Sequence, residues 1–423
     1  MQRGEAELKR GILVLCLMAL LFCGAAAAEG GELKIAVATD MHYLSPSLTD
    51  YGQHFMNTVY AADGKTIHYS PQMCKAFVRD MLRLKPDAVI LSGDLTLNGA
   101  RVSLEEFAEL LAPLREAGIR VLVIPGNHDI GGWAYSFGEQ GIVAFSAVEA
   151  PEILRIYGDY GYADALSRDA ASLSYTARLD DRVWALMLDV NGVSPQGTVG
   201  PETYVWLESQ LQAAREAGAA VIGVSHQNLL PHNVYFSQSV MISEAQKLQE
   251  LYLKYGVALN LSGHSHIQHI TAGNITEIVT SSMTLAPGYY GVLTLKNGRP
   301  EAYEAIPVDV EGWAAENGET NDDLLHFSGY VEAFYREVVR RKAAAMAVRA
   351  GVPEKDRGKM VGFAVELSCR DFSGTRAELG DTEALALWEK YLPDSVYTWY
   401  LKSVLADPPW NMDRYDFGGT PEP

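Results

Sequence analysis

Cysteine is scarce in this chain, which has four cysteines in 423 residues. Cys16 and Cys23 fall in an apolar N-terminal run, which leaves Cys74 and Cys369 far apart in the rest of the sequence. Two distant cysteines exclude a small fold held together by a disulfide framework. Because Cys74 lies on the apolar face of a predicted helix, we expect two separate buried thiols.

Basic residues are also in short supply. The chain has 34 Lys and Arg residues against 53 Asp and Glu residues, and its formal net charge is −19. A nucleic-acid backbone is bound by clustered basic side chains, so this balance excludes general nucleic-acid binding. The hydrophobic content of 48% and the charged content of 21% are typical of a globular protein, and the length suffices for two domains.

The N-terminal segment has the pattern of an export signal. Arg3, Lys9 and Arg10 precede an apolar run over residues 11–23, and four alanines follow before Glu29. The run is shorter than a bilayer span, so we predict a signal peptide over residues 1–28 and an exported protein. Anchoring as a lipoprotein is the alternative, because residues 20–24 resemble a lipoprotein cleavage box except for the large Phe22.

Several short apolar runs end abruptly at polar side chains. Residues 121–124 suit a strand that is buried on both faces, and a Pro-Gly turn separates them from Asn127, His128 and Asp129. Four other apolar runs end in the same way, at Asp40 with His42, at Asp94, at His226, and at His264 with His266. Ligands bind at the carboxyl ends of strands in open α/β sheets, so these side chains are candidates for one site.

Carboxylate, amide and imidazole groups in this combination indicate a metal site. The set contains no thiolate, so it suits Mn, Fe or Zn better than copper or an iron–sulfur cluster. Each residue also has an ordinary interpretation: His226 as a structural histidine, Asp94 as a turn residue, and Asp40 or Asn127 as a helix cap. Those interpretations must hold independently, whereas a metal site accounts for all five strand ends together.

The ordered set DxH, GD, GNHD, a lone His and GHxH, which spans Asp40 to His266, resembles the calcineurin-like metallophosphoesterase superfamily. The resemblance implies two metal ions, with Asp94 as the ligand that bridges them. It assigns Asp40, His42 and His266 to one metal, and Asn127, His226 and His264 to the other. It also implies an α/β fold over residues 29–309, a four-layer α-β-β-α sandwich with mixed sheets.

The sequence pattern changes after residue 309. Residues 321–347 and 381–405 are amphipathic and poor in glycine, and they predict a smaller all-α domain over residues 310–407. We expect a linker at residues 311–318 and a loose proline-containing tail over residues 408–423. This arrangement resembles the bacterial exported branch related to class III cyclic-nucleotide phosphodiesterases. Many members have Gly-Glu and then Ser-His after the residue matching Asn98, where this chain has Gly99, Ala100 and Arg101, so substrate contacts are expected to differ.

Connecting segments carry further expectations. Residues 43–69 form a long polar and aromatic loop, typical of a lid or binding loop, with His54 and His68 expected in solvent. Ser103 and Glu106 have the spacing of a helix capping box. Residues 131–169 are expected to wrap over the site, and short strands at residues 267–271, 277–280 and 292–295 are expected to complete the second sheet.

The resemblance implies a phosphoric ester hydrolase whose nucleophile is a hydroxide bridging two metals held through Asp94. We favour diesters over monoesters as substrates. His128, next to the predicted ligand Asn127, would protonate the leaving alkoxide. Asp129 would either orient His128 or serve as an ordinary turn residue.

Two alternative functions stay open at the level of sequence. The chain could be an exported hydrolase of envelope phospholipid or wall-polymer phosphoesters, or a non-catalytic exported binding module. The expected partner of the enzyme is a small-molecule phosphoester, and membrane contact is expected only with a lipid anchor. The sequence leaves the oligomeric state open.

Overall fold

The computed structural model describes residues 31–193, 195–233, 240–375, 382–408 and 410–419. The predicted signal peptide, residues 1–28, lies outside the described residues. Within the described ranges, no helix is both long enough and apolar enough to cross a membrane.

Two large mixed sheets and one hairpin make up the strands of the described chain. In chain order, the strands are β1 (Glu32–Ala38), β2 (Ala88–Leu91), β3 (Arg120–Val123), β4 (Trp133–Gly138), β5 (Gly141–Ser146), β6 (Ser167–Arg168), β7 (Tyr175–Arg178), β8 (Val183–Leu188), β9 (Ala220–Ser225), β10 (Leu259–Ser262), β11 (His269–Thr271), β12 (Thr276–Val279), β13 (Tyr289–Lys296), β14 (Arg299–Pro307) and β15 (Arg414–Asp416). The first sheet has the order β15-β14-β13-β1-β2-β3, the second has the order β11-β12-β10-β9-β8-β7-β6, and β4 pairs with β5.

The helices alternate with these strands and then run consecutively toward the C-terminus. In chain order, they are α1 (Gln53–Ala61), α2 (Ser70–Leu84), α3 (Arg101–Glu116), α4 (Ala150–Tyr157), α5 (Pro201–Glu216), α6 (Ala245–Tyr255), α7 (Val310–Glu316), α8 (Asp322–Leu325), α9 (Phe327–Arg349), α10 (Glu354–Ser373), α11 (Thr382–Tyr391) and α12 (Val396–Ala406). The parallel pairs β1–β2, β2–β3, β8–β9 and β9–β10 place their carboxyl ends side by side.

Strand β8 shows how a continuous apolar run is buried on both faces. Ala185 and Met187 belong to the main core, which contains residues of both sheets, whereas Leu186 and Leu188 pack in a second cluster with α5 and α6. Side chains of a strand alternate between its two faces, so the same apolar run packs against the main core on one face and against α5 and α6 on the other. Helices α2 and α3 pack against the first sheet. The predicted mixed-sheet α-β-β-α fold with a helical C-terminal region is confirmed.

One predicted strand joins a different sheet. Strand β13 pairs antiparallel with β1, so residues 292–295 belong to the first sheet and do not complete the second. Strands β11 and β12 do extend the second sheet, as expected. Local sequence identifies an apolar strand, but the choice of partner depends on packing across the whole domain.

The predicted linker and the described part of the predicted loose tail are both structured. Residues 310–316 form α7, which is capped by the Asp309 side chain and buries Trp313. Residues 414–416 form β15, which pairs with β14, and Trp410 and Tyr415 pack against the core. Apolar anchoring therefore outweighs the Gly- and Pro-rich composition that predicted irregular structure in these segments.

The segment over residues 43–69 is more ordered than a loop. Helix α1 places Phe55 and Val59 in one apolar cluster with Phe334 and Val338 of α9. His54 is exposed as expected. His68 is not: it is only 8% exposed, and its Nε2 lies 2.6 Å from the Tyr330 hydroxyl. The segment is therefore held against the helical domain.

The predicted capping box is also wrong. Helix α3 starts at Arg101, two residues ahead of Ser103. The Ser103 hydroxyl accepts a hydrogen bond from the Ser45 backbone, and Glu106 accepts from the hydroxyls of Tyr43 and Ser45. Both side chains thus bind the start of the 43–69 segment. These partners are distant in sequence, so the four-residue spacing from Ser103 to Glu106 does not predict them.

The two cysteines of the described chain are separate free thiols, as expected. Cys74 is fully buried, whereas Cys369 is only partly buried. Burial raises the pKa of the Cys369 thiol to about 11, which leaves little reactive thiolate at neutral pH.

His68 should make the fold sensitive to mild acid. Burial lowers the pKa of His68 to about 4, whereas the unfolded chain takes up this proton near pH 6.5. Above pH 6.5, neutral His68 therefore costs the fold nothing. As the pH falls from 6.5 toward 4, the free energy of unfolding decreases, because only the unfolded chain takes up the proton. The side chain of His68→Gln cannot be protonated. Over this range we expect the free energy of unfolding of the variant to fall by about 1–3 kcal/mol less than that of the wild type. Urea unfolding at pH 7 and pH 4.5 measures this difference, with His54→Gln as the exposed control. Equal pH dependence of His68→Gln and the wild type would contradict this assignment.

Candidate metal centre

All seven predicted metal ligands meet at the carboxyl ends of the two sheets. Asp40 and His42 follow β1, Asp94 follows β2, Asn127 follows β3, His226 follows β9, and His264 and His266 follow β10. The Asp40 amide donates to the Gly93 carbonyl, which joins the first two turns. The His264 amide donates to Asp40 Oδ2, which joins the two sheets.

The ligand atoms fall into two groups that share one residue. Asp40, His42, Asp94 and His266 place donor atoms within 4.8 Å of one another, and so do Asp94, His226 and His264. Asp94 is the member common to both groups. The arrangement is that of a binuclear metal site with a carboxylate between its two halves.

Distances within each half bring electron-pair donors together. His266 Nε2 lies 3.1 Å from Asp40 Oδ1 and 3.4 Å from His42 Nε2. In the other half, His226 Nε2 lies 3.1 Å from the amide oxygen of Asn127. Such convergence of lone pairs is unfavourable unless protons or a cation lie between them.

The residues fit a metal ion in two further respects. Asp40 Oδ1 is buried and, apart from its 3.1 Å contact with His266 Nε2, has no polar partner at hydrogen-bond distance among the described residues. Five predicted ligands also have positive φ angles, a left-handed conformation that is strained for non-glycine residues; they are Asp40, His42, Asp94, His264 and His266. Strained turns that present converging ligands are typical of functional sites.

Two glycines allow the turns to pack closely against the ligands. A Cβ atom on Gly126 would lie 2.2 Å from the Asp94 backbone nitrogen. A Cβ atom on Gly263 would lie 2.6 Å from Asp40 Oδ2. Only glycine fits at either position, which explains the Gly of the GNHD and GHxH motifs in steric terms.

Hydrogen bonds donated by Nδ1 fix the orientation of three imidazole rings. His226 Nδ1 lies 2.9 Å from the Ser92 carbonyl, and His266 Nδ1 lies 2.9 Å from Asp63 Oδ2. His128 Nδ1 lies 2.6 Å from the Leu97 carbonyl. Donation from Nδ1 leaves Nε2 of His226 and His266 free to bind a metal, and aims Nε2 of His128 at the site.

Opposite charges lie close together in this centre and shift one another's pKa values. Burial raises the pKa of Asp94, but the neighbouring charges of His226 and His128 lower it well below its usual range. Burial lowers the pKa of His226, but Asp94 outweighs it and raises the value to about 9. Burial and Lys65 lower the pKa of His266, yet Asp40 and Asp63 raise it to about 9. Because metals bind neutral imidazole, loading would release protons from both histidines.

Asp63 is a functional candidate that the sequence did not single out. Its carboxylate contacts His266 across 203 positions of sequence and lies 3.4 Å from the Lys65 ammonium. A carboxylate behind a metal-binding histidine orients the ring and strengthens it as a donor. No local motif marks Asp63, because its partner is chosen by the packing of the 43–69 segment.

Removing Asp63 should weaken one half of the site selectively. We expect Asp63→Ala to lower metal affinity in the half formed by Asp40, His42 and His266 by roughly 10–100-fold. Asp63→Asn, which still accepts a hydrogen bond, should have a smaller effect. Titration with manganese in a calorimeter measures the metal affinity of each half of the site. Asp50→Ala, which removes an exposed carboxylate of the same segment, is the control. Unchanged affinity, or equal losses in both halves, would contradict this role.

Glu277 is a second carboxylate that the sequence did not single out. It is fully buried on β12 and accepts hydrogen bonds from the backbone amides of Leu229 and Leu230 and from the side chains of Asn260 and Ser262. These donors lie on the segment after His226 and on the strand before His264. Glu277 therefore ties together the turns that carry His226 and His264, two ligands of the second half of the site.

Asp129 does not orient His128. Its buried carboxylate accepts from the backbone amides of Gly126, Leu95 and Thr96. Of the two roles considered for Asp129, the structural one matches these contacts. Asp129 ties the GNHD turn to the GD turn, while the Leu97 carbonyl takes the place of a carboxylate beside His128.

A cavity of about 410 Å³ opens beside this centre. Its lining includes Asn127 and His128 of the GNHD turn and Trp133 and Tyr135 of the β4–β5 hairpin. The first part of segment 131–169 therefore borders the site, as expected. The cavity gives a substrate direct access to His128 and to a predicted metal ligand.

Comparison with known proteins agrees with this geometry. Residues 33–268 match the family model described as calcineurin-like phosphoesterase. The chain belongs to the calcineurin-like phosphoesterase family. Residues 309–411 match the model described as the C-terminal domain of cyclic nucleotide phosphodiesterase. As a member of this family, the protein is a metallophosphoesterase, a hydrolase of phosphoester bonds.

Two curated relatives are both named as phosphodiesterases. A probable cyclic nucleotide phosphodiesterase from Ruthia magnifica is 36% identical over 77 residues, which are 18% of this chain and 30% of that protein. A probable glycerophosphodiester phosphodiesterase from Arcobacter nitrofigilis is 24% identical over 265 residues, which are 60% of this chain and 83% of that protein. Among solved structures, a dimetal phosphatase from Danio rerio is similar, with 13% identity, a TM-score of 0.45, and coverage of 64% of this chain and 95% of that chain.

Proposed function

We propose that this protein is a phosphodiesterase that depends on two metal ions. Asp40, His42 and His266 would hold one ion, Asn127, His226 and His264 would hold the other, and Asp94 would bridge them. The observation that carries this proposal is that Asp94 shares both groups of converging donor atoms. Oxygen and imidazole donors suit Mn, Fe or Zn.

Bound metals would supply activation of water and neutralisation of charge on the phosphoryl oxygens. The chain itself supplies the remaining steps. Its turns hold the ligands through positive φ angles and through the close approach of Gly126 to Asp94. His128, whose Nδ1 is held by the Leu97 carbonyl, presents Nε2 to the leaving oxygen and protonates it as the P–O bond breaks.

Diester specificity is supported by the chemistry of the cavity. Its described lining residues carry no carboxylate, ammonium or guanidinium group. A monoester carries a second negative charge near neutral pH that a cationic side chain would offset, whereas a diester carries only one, and no cationic Lys or Arg side chain is among these lining residues. The printed names of both curated relatives are also those of phosphodiesterases.

The proposal is tested by comparing bis(p-nitrophenyl) phosphate with p-nitrophenyl phosphate after reconstitution with manganese. We expect metal-dependent hydrolysis of both and a clear preference in kcat/KM for the diester. Faster hydrolysis of the monoester would overturn the diester assignment. Parallel loading with iron and zinc identifies the metal that supports the highest turnover.

A second candidate is an exported hydrolase of envelope phospholipid or wall-polymer phosphoesters. It follows from the proposed export of the chain, because cytosolic substrates would then be out of reach. One observation favours it: Val396 and Trp399, on one side of α12, are 63% and 65% exposed. Release of phosphorylated headgroups from phospholipid vesicles by the manganese-loaded protein would support it, and inertness toward vesicles and wall polymers would remove it.

A further inference from the structure

Among the lysines and arginines that the structure describes, only Lys65 is buried. Its side chain is 10% exposed, and its single ion-pair partner in the described ranges is Asp63, whose Oδ2 lies 3.4 Å from the ammonium. An ammonium has three N–H donors, and none of those of Lys65 forms a well-directed hydrogen bond with a described residue. Burying a positive charge with so few partners is costly. The donors of Lys65 therefore remain available to a bound anion.

The backbone on both sides of Lys65 is fixed by contacts with other parts of the fold. Gly64 has a positive φ angle, and a Cβ atom there would lie 2.6 Å from the Tyr335 ring of α9. The backbone amide and the hydroxyl of Thr66 both donate to the Thr284 carbonyl at 2.8 Å. The turn that carries Lys65 is therefore held between the helical domain and the segment after β12.

The segment after β12 also supports the metal centre. The Ser282 hydroxyl donates to the Asp40 carbonyl at 2.9 Å, and the Ser282 amide donates to the His266 carbonyl at 3.2 Å. Residues 282–284 thus hold the backbone of two predicted metal ligands and the turn that carries Lys65. The position of Lys65 relative to the metal centre is set by the fold.

Lys65 lies beside two predicted metal ligands, His42 and His266. The Asp63 oxygen that contacts the ammonium also lies 2.9 Å from His266 Nδ1. Burial lowers the pKa of His42, and the positive charge of Lys65 lowers it further. The same charge reaches the cavity described above: burial raises the pKa of Tyr135, which lines that cavity, and Lys65 opposes the rise. Lys65 is therefore close both to one half of the metal centre and to a wall of the cavity.

A positive charge at this position disfavours metal binding. Like charges repel, and the repulsion is stronger inside a protein than in water. Asp63 favours a cation at His266, whereas Lys65 disfavours one, so orienting His266 does not by itself account for a lysine here. An anion that enters with the substrate would be attracted by the ammonium and would use its donors.

We propose that Lys65 is a further catalytic residue, whose ammonium donates to a non-bridging oxygen of the phosphoryl group under attack. The proposal rests on the proposed phosphodiesterase function and adds a residue that binds the reacting group. As the oxygen of water adds to phosphorus and the ester P–O bond breaks, His128 protonates the departing oxygen, and Lys65 offsets the charge on an oxygen that stays. Because Asp63 already balances the charge of Lys65, the pair suits the single charge of a diester.

Lys65→Met tests this role without turnover, because methionine is also long and unbranched but carries no charge. The probe is inorganic phosphate, titrated in a calorimeter into the manganese-loaded protein. We expect Lys65→Met to bind phosphate roughly 10–100-fold more weakly than the wild type, the scale of a hydrogen bond to a charged group. Its affinity for manganese should stay the same or rise, whereas that of Asp63→Ala should fall. The two members of one ion pair should therefore differ in their effect on metal binding.

Turnover supplies a second readout. Lys65→Met should lower kcat/KM by roughly 10²–10³-fold, the range for losing one donor to a charge that develops in the transition state. The loss should be equal for bis(p-nitrophenyl) phosphate and for a dialkyl diester, because both present the same non-bridging oxygens. Lys65→Arg, which keeps a cation, should lose much less. Lys75→Met, which removes an exposed lysine of α2, is the matched control.

Unchanged phosphate affinity in Lys65→Met would overturn the proposal. Manganese affinity that falls as in Asp63→Ala would also overturn it, because Lys65 would then only support Asp63. A loss confined to the dialkyl diester would place Lys65 at the leaving group instead, and an equal loss in Lys75→Met would show a general effect of charge. Lys65→Gln provides the same comparisons if Lys65→Met does not fold. A wild type that binds manganese and phosphate but hydrolyses no diester would instead count against the proposed function.

Discussion

Asp94→Ala should abolish the binding of both metal ions and lower kcat/KM for diesters by roughly a thousandfold or more, equal to at least about 4 kcal/mol of transition-state stabilisation. The effect should be this large because Asp94 is the residue common to both groups of donors. Its removal takes one ligand from each half and leaves His226 and His128 without their nearest carboxylate.

Asp94→Asn separates the charge of this residue from its shape. The amide oxygen can still accept from the His128 backbone, as Asp94 Oδ1 does at 2.8 Å, but it brings no charge to offset two cations. We expect this variant to fold and to bind metal poorly. Asp169→Asn, a buried carboxylate bonded to Ser172 and Thr203, controls for the loss of a buried charge elsewhere. An Asp94→Ala protein that retained two metals per chain would refute the bridging role.

His128→Ala should lower kcat on alkyl diesters by roughly 10²–10⁴-fold, the range of general acid catalysis, with metal content unchanged. His128 Nε2 lies 3.9 Å from Asp94 Oδ2, while its Nδ1 is occupied by the Leu97 carbonyl. The ring therefore stands beside the metal ligands without being one of those assigned to either half. Its removal should affect the leaving group and spare the metals.

The size of the loss should depend on the leaving group. A nitrophenolate departs without needing a proton, so His128→Ala should lose much less activity on bis(p-nitrophenyl) phosphate than on a dialkyl diester. His54→Ala is the control, because His54 is exposed on α1. Equal losses on both substrates would show that His128 acts in some other way than as a general acid.

The predicted ligands could be found in the sequence because one physical rule links them. Each follows an apolar run, and the carboxyl ends of neighbouring parallel strands meet at one edge of a sheet. Asp63 and Glu277 obey no such rule. Asp63 reaches His266 only because α1 and the segment after it pack against α9. Glu277 is the one charged residue of β12, and the donors to its carboxylate come from other segments.

The same distinction explains the corrections to the fold. Strand β13, helix α7 and strand β15 follow from contacts with distant parts of the chain, which local composition does not encode. Ser103 and Glu106 have the spacing of a capping box, but their side-chain oxygens accept hydrogen bonds from Ser45 and Tyr43 and not from the start of the helix. His68 has the sequence neighbourhood of a loop, but Tyr330 and Phe334 of α9 cover it.

The most direct test of the central claim is the metal content of the purified protein after loading with manganese and removal of excess metal. Elemental analysis should find two metal ions per wild-type chain, and neither should remain in Asp94→Ala. A wild-type chain that takes up no metal on titration would contradict the account, because the converging donors of Asp40, His42, His226, His264 and His266 would then need another explanation.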